Sequence, residues 1–191
     1  MATTTIKRTG FGQVEPNHLS AQRTSQIYAQ LPAASSIDIL ENGQFVKYDY
    51  ANGVCNFTGE GEWMMVFNEV KLYDGWRETY KDFAMKKSNY TPGGNITHNG
   101  VGPFPGQMVP RVIKTNIGDI YTTNAIGGAN TDGKAVYAGI DVSVGDLLKV
   151  NETTGFLVAG GNADTDDMVW QVVKVYTMAD GQPAVKLMRI K

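Results

Sequence analysis

The stretch Met168-Val169-Trp170-Gln171-Val172-Val173-Lys174-Val175-Tyr176-Thr177-Met178, then Ala179-Asp180-Gly181-Gln182-Pro183, then Ala184-Val185-Lys186-Leu187-Met188-Arg189-Ile190, decides the fold class. Both long runs are dense in β-branched and aromatic residues, which fit a pleated, half-buried surface. Asp180-Gly181 between them supplies the backbone freedom of a tight reversal, so the pair reads as a β-hairpin. Moving back toward Pro110, further short apolar runs at 111–114, 120–123, 135–139, 147–150 and 156–159 are separated by Gly, Asn and Asp clusters. That spacing predicts a small β-barrel or β-sandwich over residues 111–191. Two elements in it echo one another, Asn116-Ile117-Gly118-Asp119-Ile120-Tyr121 and Ser143-Val144-Gly145-Asp146-Leu147-Leu148. In each, a β-branched residue leads into Gly-Asp and then an apolar pair, a turn chemistry that redirects the backbone into a new strand.

Residues 37–110 read as a small α+β middle region. Gln44-Phe45-Val46-Lys47-Tyr48-Asp49-Tyr50 alternates as a strand does, Ala51-Asn52-Gly53 is a turn, and Trp63-Met64-Met65-Val66-Phe67 is an apolar run suited to a buried strand. Over 74–87, Trp76, Tyr80, Phe83 and Ala84 recur at helical spacing, which predicts a short amphipathic helix. Residues 88–110 hold five Gly and four Pro and follow neither period, as binding loops and connectors do.

Residues 1–36 form an extended, slightly basic N-terminal arm, with Lys7, Arg8 and Arg23 against Glu15. Ala21, Thr24, Ile27, Tyr28 and Leu31 predict a short helix over 20–31, ended by Pro32. The fold expected is mainly β: an extended arm with a short helix, the α+β middle region, and a C-terminal barrel or sandwich.

Composition narrows the function. The 191 residues are 42% hydrophobic and 19% charged, with 22 Gly and a formal net charge of −2. A nucleic-acid binder needs clustered Lys and Arg to displace counterions from phosphates, so no nucleic-acid partner is expected. No window of about 18 apolar residues exists, so no membrane partner is expected either. Met1 to Arg8 runs polar where a signal peptide turns apolar, which predicts a soluble, unprocessed chain. The single Cys55 excludes an intrachain disulfide, and its apolar setting predicts an inert buried thiol.

No catalytic, cofactor-binding or metal-ligating set emerges. His18 and His98 sit among turn residues without a nucleophile motif, and no Walker loop, nucleophile elbow or zinc-protease motif is present. Asn162-Ala163-Asp164-Thr165-Asp166-Asp167 lacks the central Gly and distal Glu of a calcium loop. Glu60, Glu62 and Glu69 lack a facing carboxylate partner. The reading is of a non-enzymatic protein without cofactors.

A resemblance enters on two groups of residues. Gln13-Val14-Glu15-Pro16-Asn17-His18-Leu19-Ser20-Ala21-Gln22-Arg23-Thr24 with Gln26-Ile27-Tyr28-Ala29-Gln30-Leu31-Pro32, and Pro110-Arg111-Val112-Ile113-Lys114 through Gly118-Asp119-Ile120-Tyr121-Thr122-Thr123-Asn124, look like structural proteins encoded beside the major capsid protein in tailed bacteriophages. Val144-Gly145-Asp146-Leu147-Leu148-Lys149-Val150, with Thr154-Gly155-Phe156-Leu157-Val158 and the closing hairpin, is similar to the small β-barrel of phage head decoration proteins. The resemblance implies a virion protein on the capsid surface, assembled in the host cytoplasm. It would bind the major capsid protein, associate with copies of itself as trimers, and bridge neighbouring shell subunits. Ile6, Phe11, Ile27, Tyr28 and Leu31 are then the apolar anchors by which the arm meets its partner. Two other readings stay open: a minor virion component such as a head-fibre base or a tail or neck adaptor, and a carbohydrate-binding or hydrolytic β domain.

Overall fold

A computed structural model of the chain describes residues 2–21, 26–68, 72–74, 77–79, 84–89, 107–127 and 139–191. In chain order its strands begin with β1 (Thr4–Ile6), β2 (Val14–His18), β3 (Ile27–Tyr28), β4 (Ile39–Glu41), β5 (Phe45–Asp49) and β6 (Val54–Asn56). Next come β7 (Met64–Val66), β8 (Leu72–Asp74), β9 (Arg77–Thr79), β10 (Ala84–Lys86) and a 3-10 turn at Lys87–Asn89. The remainder are β11 (Val112–Ile113), β12 (Ile120–Thr123), β13 (Ile140–Val142), β14 (Leu147–Val150), β15 (Leu157–Ala159), β16 (Val169–Thr177) and β17 (Pro183–Arg189).

Two sheets dominate. One has six strands in the order β15-β14-β16-β17-β12-β2, the other five in the order β3-β11-β7-β5-β6, and three two-stranded pairs (β1 with β13, β4 with β10, β8 with β9) flank them. Every strand pairing is antiparallel. The C-terminal hairpin forms as its sequence predicts, with Thr177 opposite Pro183 and Gly181 in the left-handed region at φ 86°.

The five-stranded sheet is buried on both faces, and the period of two sorts its side chains between two cores. Phe45, Met65 and Ile113 enter a cluster with Tyr121, Leu148, Trp170, Val172, Val185 and Leu187 of the six-stranded sheet. Their neighbours Val46, Met64, Val66 and Val112 enter a second cluster with Ile37, Leu40, Cys55, Met85 and Met108. A strand buried on both faces has no polar side to show, which is why 63–67 reads as an unbroken apolar run.

Three expectations are corrected. The helix over 20–31 is not supported: Ile27–Tyr28 is strand β3, pairing Ile27 with Ile113 and Tyr28 with Val112. Ile27 packs on the first core while Tyr28 and Leu31 pack on the second, a division that one helical face cannot make. Over 74–86 the backbone is strand where described, with Asp74 opposite Arg77 and Met85 opposite Leu40, and Lys87 opens the 3-10 turn; Trp76, Tyr80 and Phe83 lie outside the described residues. Finally, among the described residues the C-terminal strands do not close into a barrel: β15 and β2, the terminal strands of their sheet, do not pair with each other, and beyond β14 the described pairing of β15 is one isolated bridge from Leu157 to Ile126. That sheet covers its apolar face with the five-stranded sheet instead of with itself. The 135–138 part of one expected strand and most of the Gly/Pro-rich 88–110 segment also lie outside the described residues.

Both Gly-Asp echoes form the same turn. Asp119 N donates to Asn116 O and Asp146 N to Ser143 O, while Gly118 and Gly145 take φ of 90° and 99°. A Cβ on either glycine would meet nothing within 4 Å, so glycine is there for the left-handed backbone and not for space.

Candidate partner interface

The N-terminal segment is the region proposed by sequence to meet a partner, and the structure shows how the chain holds it. β1 pairs with β13, Thr4 opposite Val142. Arg8 then enters the interior, where its Nη2 lies 3.1 Å from Glu41 Oε2 and its guanidinium stacks 4.6 Å from the centroid of Phe156. Gly12 N donates to the same carboxylate oxygen at 2.8 Å. A side chain at Gly12 would sit 2.2 Å from the Asn42 carbonyl, so only glycine lets the segment lie this close.

On either side of Gly12 the segment fastens to the closing hairpin. Gln13 Nε2 donates to Asp180 Oδ2, Thr9 N to Gln182 Oε1, and Asn124 Nδ2 to the same Gln182 oxygen. Burial works to raise the Asp180 carboxyl, but these hydrogen bonds from Gln13 and Gln182 outweigh it and hold it below its ordinary range. β2 then adds to the edge of β12, with a bulge between Ile120 and Tyr121, and the Tyr176 hydroxyl donates to Glu15. At its end, Ser20 N and Oγ both donate to the buried Asp119 carboxylate, which also accepts Asn116 N.

The five proposed anchors are therefore distributed and not gathered on one face. Ile6 is buried in the first core at 1% exposure and Ile27 packs against it. Tyr28 and Leu31 are half-buried against the second core. Phe11 is half-buried with Lys86 Nζ 5.0 Å from its ring centroid. Their apolar surface is largely used inside the chain. What the segment still offers outward is the edge of β2 that no described strand covers, where Pro16, Asn17 and His18 are exposed.

The remaining candidate groups are placed as follows. Cys55 is buried, and burial pushes its thiol up to about 12. The thiol is the unreactive form, so native protein at pH 8 should resist Ellman's reagent until denaturant is added. Stoichiometric labelling within minutes in native buffer would contradict this burial. In the loop at 162–167, Asp166 accepts Asn162 N and meets Lys149 Nζ at 3.3 Å, and these two partners in that order hold its carboxyl low. Asp167 meets Lys47 Nζ at 3.2 Å, and Lys47 lies 4.8 Å from the centroid of Trp63. Glu62 pairs with Lys114 at 2.5 Å. Asp166, Asp167 and Glu62 are thus engaged by a backbone N–H group and lysines, and no group of three or more His, Cys, Asp or Glu among the described residues is arranged to hold a metal. Trp63 and Trp170 are buried, so neither presents a face to a sugar; Trp76, Glu69 and His98 lie outside the described residues. No described helix is long and apolar enough to cross a membrane.

Sequence reasoning missed the two groups that fix the segment, Arg8 with Glu41 and Ser20 with Asp119. Partners 33 and 99 positions apart leave no local pattern, and each residue alone reads as an ordinary polar surface residue. No protein-family model, curated protein or solved structure matches the chain.

Proposed function

We propose that this protein is a structural component of a tailed-phage virion, a decoration or cement protein that binds the outer face of the capsid and bridges neighbouring shell subunits. The observation that supports the reading is where the chain brings together the stretches that resemble phage structural proteins and those that resemble the decoration-protein barrel. Residues 13–20 supply β2, 118–124 supply β12, and 144–158 supply β14 and β15; with the closing hairpin they make up the whole six-stranded sheet. The two other matched pieces, 26–32 and 110–114, supply β3 and β11 and pair with each other. Stretches far apart along the chain thus form one architectural unit, as expected if they carry one function.

On this reading the partner is the major capsid protein, copies of the chain associate on the lattice, and the role is non-enzymatic. The open edge of β2 offers main-chain donors and acceptors to a strand of the partner, and many weak contacts on a lattice add through avidity.

The test is to mix purified protein with capsids assembled without it and to image the particles. The expected result is a symmetric layer of hundreds of copies, together with greater resistance of the particle to heat. Binding of about a dozen copies at one vertex would favour a neck or tail adaptor, since copy number follows the symmetry of the site. No binding would sink the virion-surface reading.

A further inference from the structure

Three large apolar side chains are exposed among the described residues: Tyr50, Ile117 and Val144. A single exposed apolar residue is ordinary. Two of these three, however, hold the same position in the two Gly-Asp turns, and the turns are related by the architecture of the sheet.

The relation follows from register. Gly118 N donates to Arg189 O and Arg189 N to Asp119 O; in the other turn Gly145 N donates to Val172 O and Val172 N to Asp146 O. Each Asp side chain also accepts the backbone N–H three residues earlier, that of Asn116 or Ser143. After the turns, Ile120 lies opposite Met188 and Leu147 opposite Gln171, while Met188 and Gln171 lie opposite each other. Trp170 pairs with Arg189, and Val172 with Leu187. A two-fold rotation perpendicular to the sheet, through the midpoint between Gln171 and Met188, carries each of these pairs onto its counterpart. It exchanges β12 with β14 and β17 with β16. It therefore superposes the Ile117 turn on the Val144 turn without exchanging the faces of the sheet.

Neither turn needs an apolar residue there. With glycine at φ near 90° in the third position these are type II turns, whose second position accepts most residues and favours proline. The fold gives no reason for two exposed β-branched side chains, 71% and 43% accessible, at two-fold-related corners.

Resting on the capsid-decoration reading, we infer that Ile117 and Val144 are twin docking knobs, each seating in the same apolar socket on one of two neighbouring copies of the shell protein. Identical sockets are what a lattice of one repeated subunit presents, and a pseudo-two-fold pair of knobs lets one molecule hold two of them in equivalent ways. This converts a general bridging role into two defined contacts, the second formed at high effective concentration once the first is made.

The experiment measures binding of Ile117→Asp, Val144→Asp, the double variant and Tyr50→Asp to capsids assembled without this protein, with thermal unfolding as a folding control. The three positions are exposed, so the variants are expected to fold. Each turn variant should raise the half-saturating concentration about tenfold and the double variant about a hundredfold, with Tyr50→Asp unchanged, since an apolar contact of this size is worth roughly one decade of affinity. Wild-type binding by both turn variants overturns the inference and leaves the decoration reading standing. A loss confined to one turn overturns the twin arrangement, and an equal loss at Tyr50 overturns the assignment to the turns. Unchanged binding with altered self-association of the free double variant would assign the knobs to a second copy of this chain instead. Failure of the wild-type protein to bind removes the decoration reading and this inference with it.

Discussion

Glu41→Ala is expected to lower the free energy of unfolding by about 3–5 kcal/mol, the range for breaking one side of a buried ion pair. In a chain of this size that corresponds to a fall in the thermal midpoint on the order of 10 °C. The Arg8 and Glu41 side chains are 1% and 2% exposed, so neither charge is screened by water. The substitution strips the guanidinium of this carboxylate while leaving its charge inside, beside the Phe156 ring. It also removes the acceptor of Gly12 N. Because Arg8 and Gly12 lie between β1 and β2, the damage should spread along the N-terminal segment, and amide exchange at Thr4–Ile6 and Val14–His18 should accelerate first.

The pair Arg8→Met with Glu41→Leu separates net worth from the cost of breaking. Replacing both charges with apolar groups removes the desolvation cost of each, so the double variant should be more stable than either single one. Chemical denaturation of the four proteins measures this. A loss below about 1 kcal/mol in Glu41→Ala would show that the site is wetter than its burial indicates.

The same pair marks what was legible in the sequence. Where a strand's environment is set by neighbours close along the chain, the pattern showed it: the 168–190 hairpin carries its own turn residues, and 63–67 carries the continuous apolarity of a strand buried twice. Ile27, Tyr28 and Leu31 fit a helical spacing, but adjacent Ile27 and Tyr28 also suit a strand whose alternate residues face different cores, with Leu31 lying beyond the strand's end. Only the second core, which the sequence does not display as a unit, decides between them. At 74–87 aromatic spacing outweighed the plainer signal of Asp74-Gly75, a reversal dipeptide two residues ahead of Arg77, which lies opposite Asp74. The barrel failed for a related reason. Seven short strands supply an apolar face, but a local pattern does not say whether that face closes on itself or on a sheet assembled from residues 27–113. The anchors were chosen as apolar residues in a polar arm, and apolar residues in such an arm are the ones its own core takes first.

Trp170→Ala should cost a comparable 3–5 kcal/mol, by a different route. Trp170 is fully buried on β16, in T-shaped contact with Tyr121 at 4.8 Å and tilted against Phe45 of the other sheet at 6.0 Å. Its indole therefore fills the space between the two large sheets, and alanine leaves a cavity that two hydrogen-bonded sheets cannot collapse to fill. Trp170→Phe retains most of the volume and should cost less than half as much. Trp63→Ala should fall between, since that ring lies under Lys47 toward the loop at 162–167. Near-UV circular dichroism adds a readout that a local defect would not move: loss of the aromatic signal before the strand signal on heating Trp170→Ala would show the sheets separating while each stays paired. A cost below 1 kcal/mol, or coincident loss of both signals at the wild-type temperature, would remove Trp170 from this role. The distinction bears on the proposed bridging function. Glu41→Ala loosens the N-terminal segment and should weaken capsid binding near the β2 edge, whereas Trp170→Ala leaves both turns intact on one sheet. The tryptophan variant should therefore still decorate shells at low temperature and lose its protection of the particle on heating.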